Sequence, residues 1–137
     1  MLRATMLTRI SFASLAAAVT LLAATPSIAH HSANAEFNTT EQLTITGVLS
    51  KVENVNPHSW WYVDVKSPDG KVTPWKLESN SPSGLIRLGL KVKSEVKVGD
   101  TISFRISPAW KDHPDGAKMG WMRALTVNGK EYVLTEL

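Results

Sequence analysis

The residues of this sequence able to do chemistry are few, and the histidines stand out: His30, His31, His58 and His113. Cysteine is absent, which excludes a disulfide framework, a thiolate zinc site, an iron–sulfur cluster and a cysteine nucleophile. Imidazole is then the best metal donor available, and nitrogen donors suit Cu(II) ahead of Zn(II) and Ni(II). His30 and His31 gain weight from what precedes them. Arg3 and Arg9 form a basic start, residues 10–24 are an apolar run, Pro26 breaks it, and Ser27-Ile28-Ala29 places small residues where a signal peptidase needs them. The run is too short for the ~20 residues of a membrane span. Cleavage after Ala29 makes His30 the mature amino terminus, where its α-amine and ring can chelate one metal, with His31 adding a second imidazole. Ala33-Asn34-Ala35 offers an alternative cleavage site, farther from the apolar run.

His58 is the third nitrogen candidate. It follows Asn56-Pro57, and a residue before proline is held extended or in a turn, which fixes the position of what comes next. One reading makes His58 a metal ligand. The other makes it a turn residue bonded to a backbone carbonyl. Glu78 is a weaker candidate, either as an oxygen ligand or as the carboxylate that orients an imidazole. His113, within Asp112-His113-Pro114-Asp115-Gly116, reads as a solvent-facing turn residue. Met119 and Met122 carry thioethers that could bind Cu(I), though gap-filling is the ordinary use of methionine.

Five tryptophans form the other conspicuous feature, with Trp60, Trp61 and Tyr62 consecutive. Strand alternation turns Trp61 inward and leaves Trp60 and Tyr62 on the outer face, where aromatic rings can stack on sugars or bases. The competing account is that a small barrel uses tryptophan to fill its core and cover its ends. No motif of an enzyme is present: no G-x-S-x-G, no H-E-x-x-H and no glycine-rich phosphate loop. The expectation is a non-enzyme.

The chain has 137 residues, one domain's worth. Its formal charge of +3 falls once the leader is set aside, because both leader arginines are lost with no acid. Thirteen basic residues then face twelve acids, which leaves no general field for nucleic acid. The expected organisation is a signal peptide over 1–29, an extended segment over 30–41 and a barrel over 42–137, with no membrane span after cleavage.

The elements that must position these side chains are short strands. Leu43 and Ile45 share one parity while Val48 and Val52 share the other, so Gly47 between them is predicted to be a bulge that restores Val48 and Val52 to the inside. Trp60 to Lys66 and Lys71 to Glu78 alternate as the second and third strands, with Pro74 suited to an edge. Ser81-Pro82 opens a short helix with Leu85 and Leu88 on its apolar stripe, ended by Gly89. Ile102, Phe104 and Ile106 face inward on the fourth strand. A fifth runs from about Trp121 to Val127, and Asn128-Gly129 turns the chain back. Three strands, one helix, then two or three strands is the order of the five-stranded Greek-key OB barrel, an all-β fold with one short helix between strands 3 and 4.

His30-His31-Ser32, Phe37, Thr46-Gly47, Asn56-Pro57-His58 with Trp60, Asp64-Val65, Asp69-Gly70, Trp75, Glu78, Ser81-Pro82 and Gly99-Asp100 occur in that order. In this the chain resembles a family of small exported Gram-negative bacterial proteins whose domain has no assigned function. The resemblance covers nearly all of the mature chain and implies export and the fold, without a mechanism. Asn38 stands where that family commonly has an acid after the phenylalanine.

These observations lead to the expectation of a periplasmic copper-binding module using His30, His31, His58 and Glu78. The alternative is a metal-free module whose Trp60/Tyr62 face takes a saccharide, a cell-wall fragment or a periplasmic partner protein.

Overall fold

The long first strand organises the barrel. In the computed structural model, which describes residues 33–135, β1 (Leu43–Val55) is thirteen residues long and pairs with two neighbours in turn. Its first half, to Val48, lies antiparallel to β4 (Thr101–Pro108), and its second half, from Val48, lies antiparallel to β2 (His58–Lys66). β2 pairs with β3 (Val72–Ser79), and β4 pairs with β5 (Lys118–Val127). A parallel pairing of β3 with β5, from Trp75↔Lys118 to Glu78↔Trp121, closes the barrel. β6 (Lys130–Val133) adds a hairpin on β5 through Asn128 and Gly129, both at positive φ as a tight two-residue turn requires. The strand order β3-β2-β1-β4-β5-β6, closed by β3 on β5, is a five-stranded OB-type barrel with one added strand.

Period-two alternation fills the interior, except in β5, where a register shift at Arg123 changes the parity between Met122 and Leu125. Trp61 and Val63 from β2, Leu77 from β3, Ile102, Phe104 and Ile106 from β4, and Met122 and Leu125 from β5 are all buried. Trp61 meets Phe104 edge-on with ring centroids 6.3 Å apart. Met122 is therefore core filling. Pro74 lies in the part of β3 that precedes its pairing with β5, an edge position where its missing N–H costs nothing.

Three details differ from the sequence reading. The bulge in β1 is at Ser50, where the register steps from Leu49↔Val63 to Lys51↔Tyr62. Gly47 keeps the regular phase, Leu49 takes the inward position and Val48 is exposed. Gly47 is instead required by proximity: a Cβ there would lie 2.6 Å from the Asp64 carbonyl oxygen and 2.7 Å from Val63 Cγ1. The β3–β4 connection holds two short helices, α2 (Pro82–Arg87) and α3 (Val92–Glu95), in place of one. Ser81 caps α2 by accepting from the Gly84 N–H at 3.1 Å, and Gly89 ends it at φ +88°. Leu85 enters the core, but Leu88 is exposed, and Leu90, beyond the glycine, is buried in its place.

The segment before β1 is not uniformly extended. Residues 33–36 form one helical turn, α1 (Ala33–Glu36), and Phe37 is 2% exposed. The segment is joined to the β4–β5 end by Asn38 N–H donating to Pro108 O at 2.8 Å, Trp110 N–H to Glu36 O at 3.0 Å, and the Trp110 indole N–H to Asn34 O at 3.0 Å. Buried Arg123 donates to the Thr39 carbonyl and, at 2.7 Å, to Ser107 Oγ. Among the described residues no helix is long and apolar enough to cross a membrane.

Candidate functional site

His58 is the first residue of β2 and faces Val55 across the two-residue Asn56-Pro57 turn, whose peptide bond is cis. Hairpin pairing on both sides of the turn thus fixes the backbone from which the imidazole projects. Glu78 comes from the strand beside it, opposite Trp60 on β2 and Trp121 on β5. Its strand neighbour Leu77 occupies the core, so alternation sends Glu78 to the outer face, where a glutamate ordinarily meets water. Here its side chain is only 7% exposed, against 42% for that of His58.

The reason is a cluster built on the seam where β3 meets β5. Glu78 Oε1 contacts His58 Nδ1 directly. The His58 ring stands edge-on to Trp121 with centroids 5.8 Å apart at 87°, and Trp121 packs against Phe37, also at 5.8 Å. The order of contact is therefore Phe37, Trp121, His58, Glu78. A carboxylate accepts hydrogen bonds, so Nδ1 carries a proton, and in a neutral imidazole the lone pair is then on Nε2. This is the arrangement by which a buried acid orients a histidine toward a metal or a proton donor.

The structure thus brings together two of the four metal candidates, His58 and Glu78. His30 and His31 lie outside the described residues. Among the described residues no group of three or more metal-donor side chains occurs. Phe37 and Trp121 were missing from the sequence-derived site. Their types offered a signal only as aromatic residues, since no local periodicity joins positions so far apart in the chain.

Trp60 and Tyr62 do share a half-buried outer face, as alternation requires. Their rings are not bare. The Lys76 ammonium lies 4.6 Å from the Trp60 centroid and 5.7 Å from that of Tyr62, and Lys51 lies 5.2 Å from Tyr62. The Tyr62 hydroxyl donates to Glu53 Oε2 at 2.8 Å. Burial and this acceptor together push the Tyr62 phenol up to about 12. His113, expected in solvent, is half-buried: its Nδ1 is 2.8 Å from Asp115 and its Nε2 is 3.4 Å from Lys76 Nζ. A backbone N–H from Ala117 and the His113 ring hold the Asp115 carboxyl below its usual range.

A closed β-barrel of the OB type, with an acid-held histidine at its closing seam and cation-covered aromatics on an adjacent face, is the class that fold and site define. The chain belongs to the family of unknown function DUF6152, whose model matches residues 18–129. Among solved structures it is similar to a mitochondrial single-stranded DNA binding protein from S. cerevisiae, at 13% identity and a TM-score of 0.48, covering 64% of this chain and 94% of that one. None of the curated proteins matches the sequence.

Proposed function

We propose that this protein is exported to the bacterial periplasm and there binds a metal ion, Cu(II) by preference, through imidazole nitrogen. The observation that carries the reading is the Glu78–His58 contact. Removing a carboxylate from water on the outer face of a barrel costs several kcal/mol in unpaired form, and here the acid contacts the Nδ1 of His58. That histidine presents Nε2, the atom a metal would take. The other donors in this reading are those the sequence supplies at a mature terminus after Ala29: the α-amine and ring of His30, and the ring of His31. Nitrogen donors without thiolate favour Cu(II) over Zn(II).

Intact mass of the exported protein tests the first half, a start at His30 being the expected result. Calorimetric titration with Cu(II) and Zn(II) tests the second. His58→Ala, and a chain with one residue added before His30, should each bind Cu(II) far more weakly than the parent, and His113→Ala should match it. A mature chain starting at Glu36, or copper binding indifferent to His58→Ala, would end the copper reading.

A second reading rests on Trp60 and Tyr62 lying side by side on one face. A saccharide, cell-wall fragment or partner protein stacking there would have to displace Lys76 from both rings. Loss of such binding in Trp60→Ala without loss of fold would support it.

A further inference from the structure

The β3–β4 connection leaves a groove of about 580 Å³, lined by Asn54, Pro82, Ile86, Lys91, Val92 and Lys93, none of them part of the His58 cluster or the Trp60/Tyr62 face. α2 drives Leu85 into the core, and the next residue, Ile86, is left 63% exposed. Val92 on α3 is half-buried against the core edge. The groove is thus an apolar trough that folding leaves uncovered, and its volume lies within the roughly 300–1,000 Å³ usual for small-molecule sites.

Its electrostatics select the occupant. Residues 82–98 contain Arg87, Lys91, Lys93 and Lys97 but one acid, Glu95, a net +3 within a mature chain of formal +1. Glu95 is itself engaged: its carboxylate accepts from the Lys91 backbone N–H at 2.7 Å and from the Tyr132 hydroxyl at 2.8 Å, which holds it below the usual range. Among the described residues neither the Lys91 nor the Lys93 ammonium forms an ion pair. Two lysines without an ion pair of their own therefore line an apolar trough. Six lining residues are too few for a stable protein interface, which takes roughly 20–30 a side.

We propose that this groove binds a single-chain anionic amphiphile, its alkyl chain along Ile86, Pro82 and Val92 and its carboxylate paired with Lys91 and Lys93.

The probe is decanoate, monomeric in the titration range, with decanol as its uncharged counterpart. In ¹H–¹⁵N spectra of the exported protein, decanoate should give saturable one-to-one shifts centred on Ile86, Val92 and Lys93. Decanol should bind at least fivefold more weakly. Ile86→Glu should weaken decanoate at least fivefold, and Lys91→Ala with Lys93→Ala should do the same and erase the preference over decanol. If Ile86→Glu loses its dispersed spectrum, the exposed lysine pair decides. Shifts that never saturate, or that ignore both variants, overturn the proposal. Sedimentation with phosphatidylglycerol vesicles without decanoate binding would overturn it in favour of a bilayer surface. A dimer that Ile86→Glu splits would overturn it in favour of a second copy of the chain.

Discussion

Glu78 and His58 meet at the seam that closes the barrel, Oε1 against Nδ1, the acid nearly sealed and the imidazole partly exposed. The pair joins the start of β2 to β3, and Trp121 from β5 braces the ring edge-on.

Glu78→Gln tests that relationship directly. The amide keeps the shape but cannot supply a carboxylate to Nδ1–H, and loss of such an orienting partner typically costs about 10–100-fold in metal affinity. Calorimetry of the Gln variant with Cu(II) should show a drop of that size, with a circular dichroism spectrum like the parent's. Equal affinity would make Glu78 a purely structural residue.

Gly47→Val should destabilise the barrel through overpacking. The added Cβ would stand 2.6 Å from a backbone oxygen of β2, which cannot swing away as a side-chain tip can. A loss of about 1–3 kcal/mol is expected. Thermal melts against Val48→Thr, a change at an exposed neighbour, measure it; equal midpoints would refute the close approach.

Trp61→Ala should cost about 3–5 kcal/mol, because a fully buried indole leaves a cavity. It also removes the indole N–H that donates to Ser79 Oγ at 3.1 Å. Trp60→Ala should cost about 1 kcal/mol, the scale of its contact with the Lys76 ammonium. Urea unfolding of the two variants checks the difference, and equal costs would put Trp60 in the core.

Tyr62 gives an alkaline prediction. Its folded-state value of about 12 exceeds the ordinary 10.0. The neutral phenol is thus preferred in the folded state, so its contribution to stability is whole below pH 10 and is lost as pH rises from there through about 12. The absorbance difference at tyrosinate wavelengths between parent and Tyr62→Phe should therefore have its midpoint well above 10. A midpoint at the ordinary value would mean that Glu53 and burial do not hold the hydroxyl.

The sequence alone determined the fold class. Alternation in Ile102, Phe104 and Ile106, the Asn128-Gly129 turn and the Ser81-Pro82 helix start are local signals, and each appears in the structure where it was read. Local signals also named His58 and Glu78 separately, as a residue fixed by a turn and an acid on a strand. That they touch was a matter of register, because the pairing of β2 with β3 sets which positions fall side by side and no sequence period reports it. The same holds for the bulge. The change of parity in β1 was visible, yet its place at Ser50 depends on how β2 and β4 divide the strand between them. The walls of the site, Phe37 and Trp121, came from the tertiary structure alone. Closure of β3 on β5 sets Glu78 beside Trp121, and the bridge from Phe37 to Ala109 brings Phe37 against that ring from 84 positions away, a distance at which only packing, and no backbone geometry of neighbours, can relate two side chains.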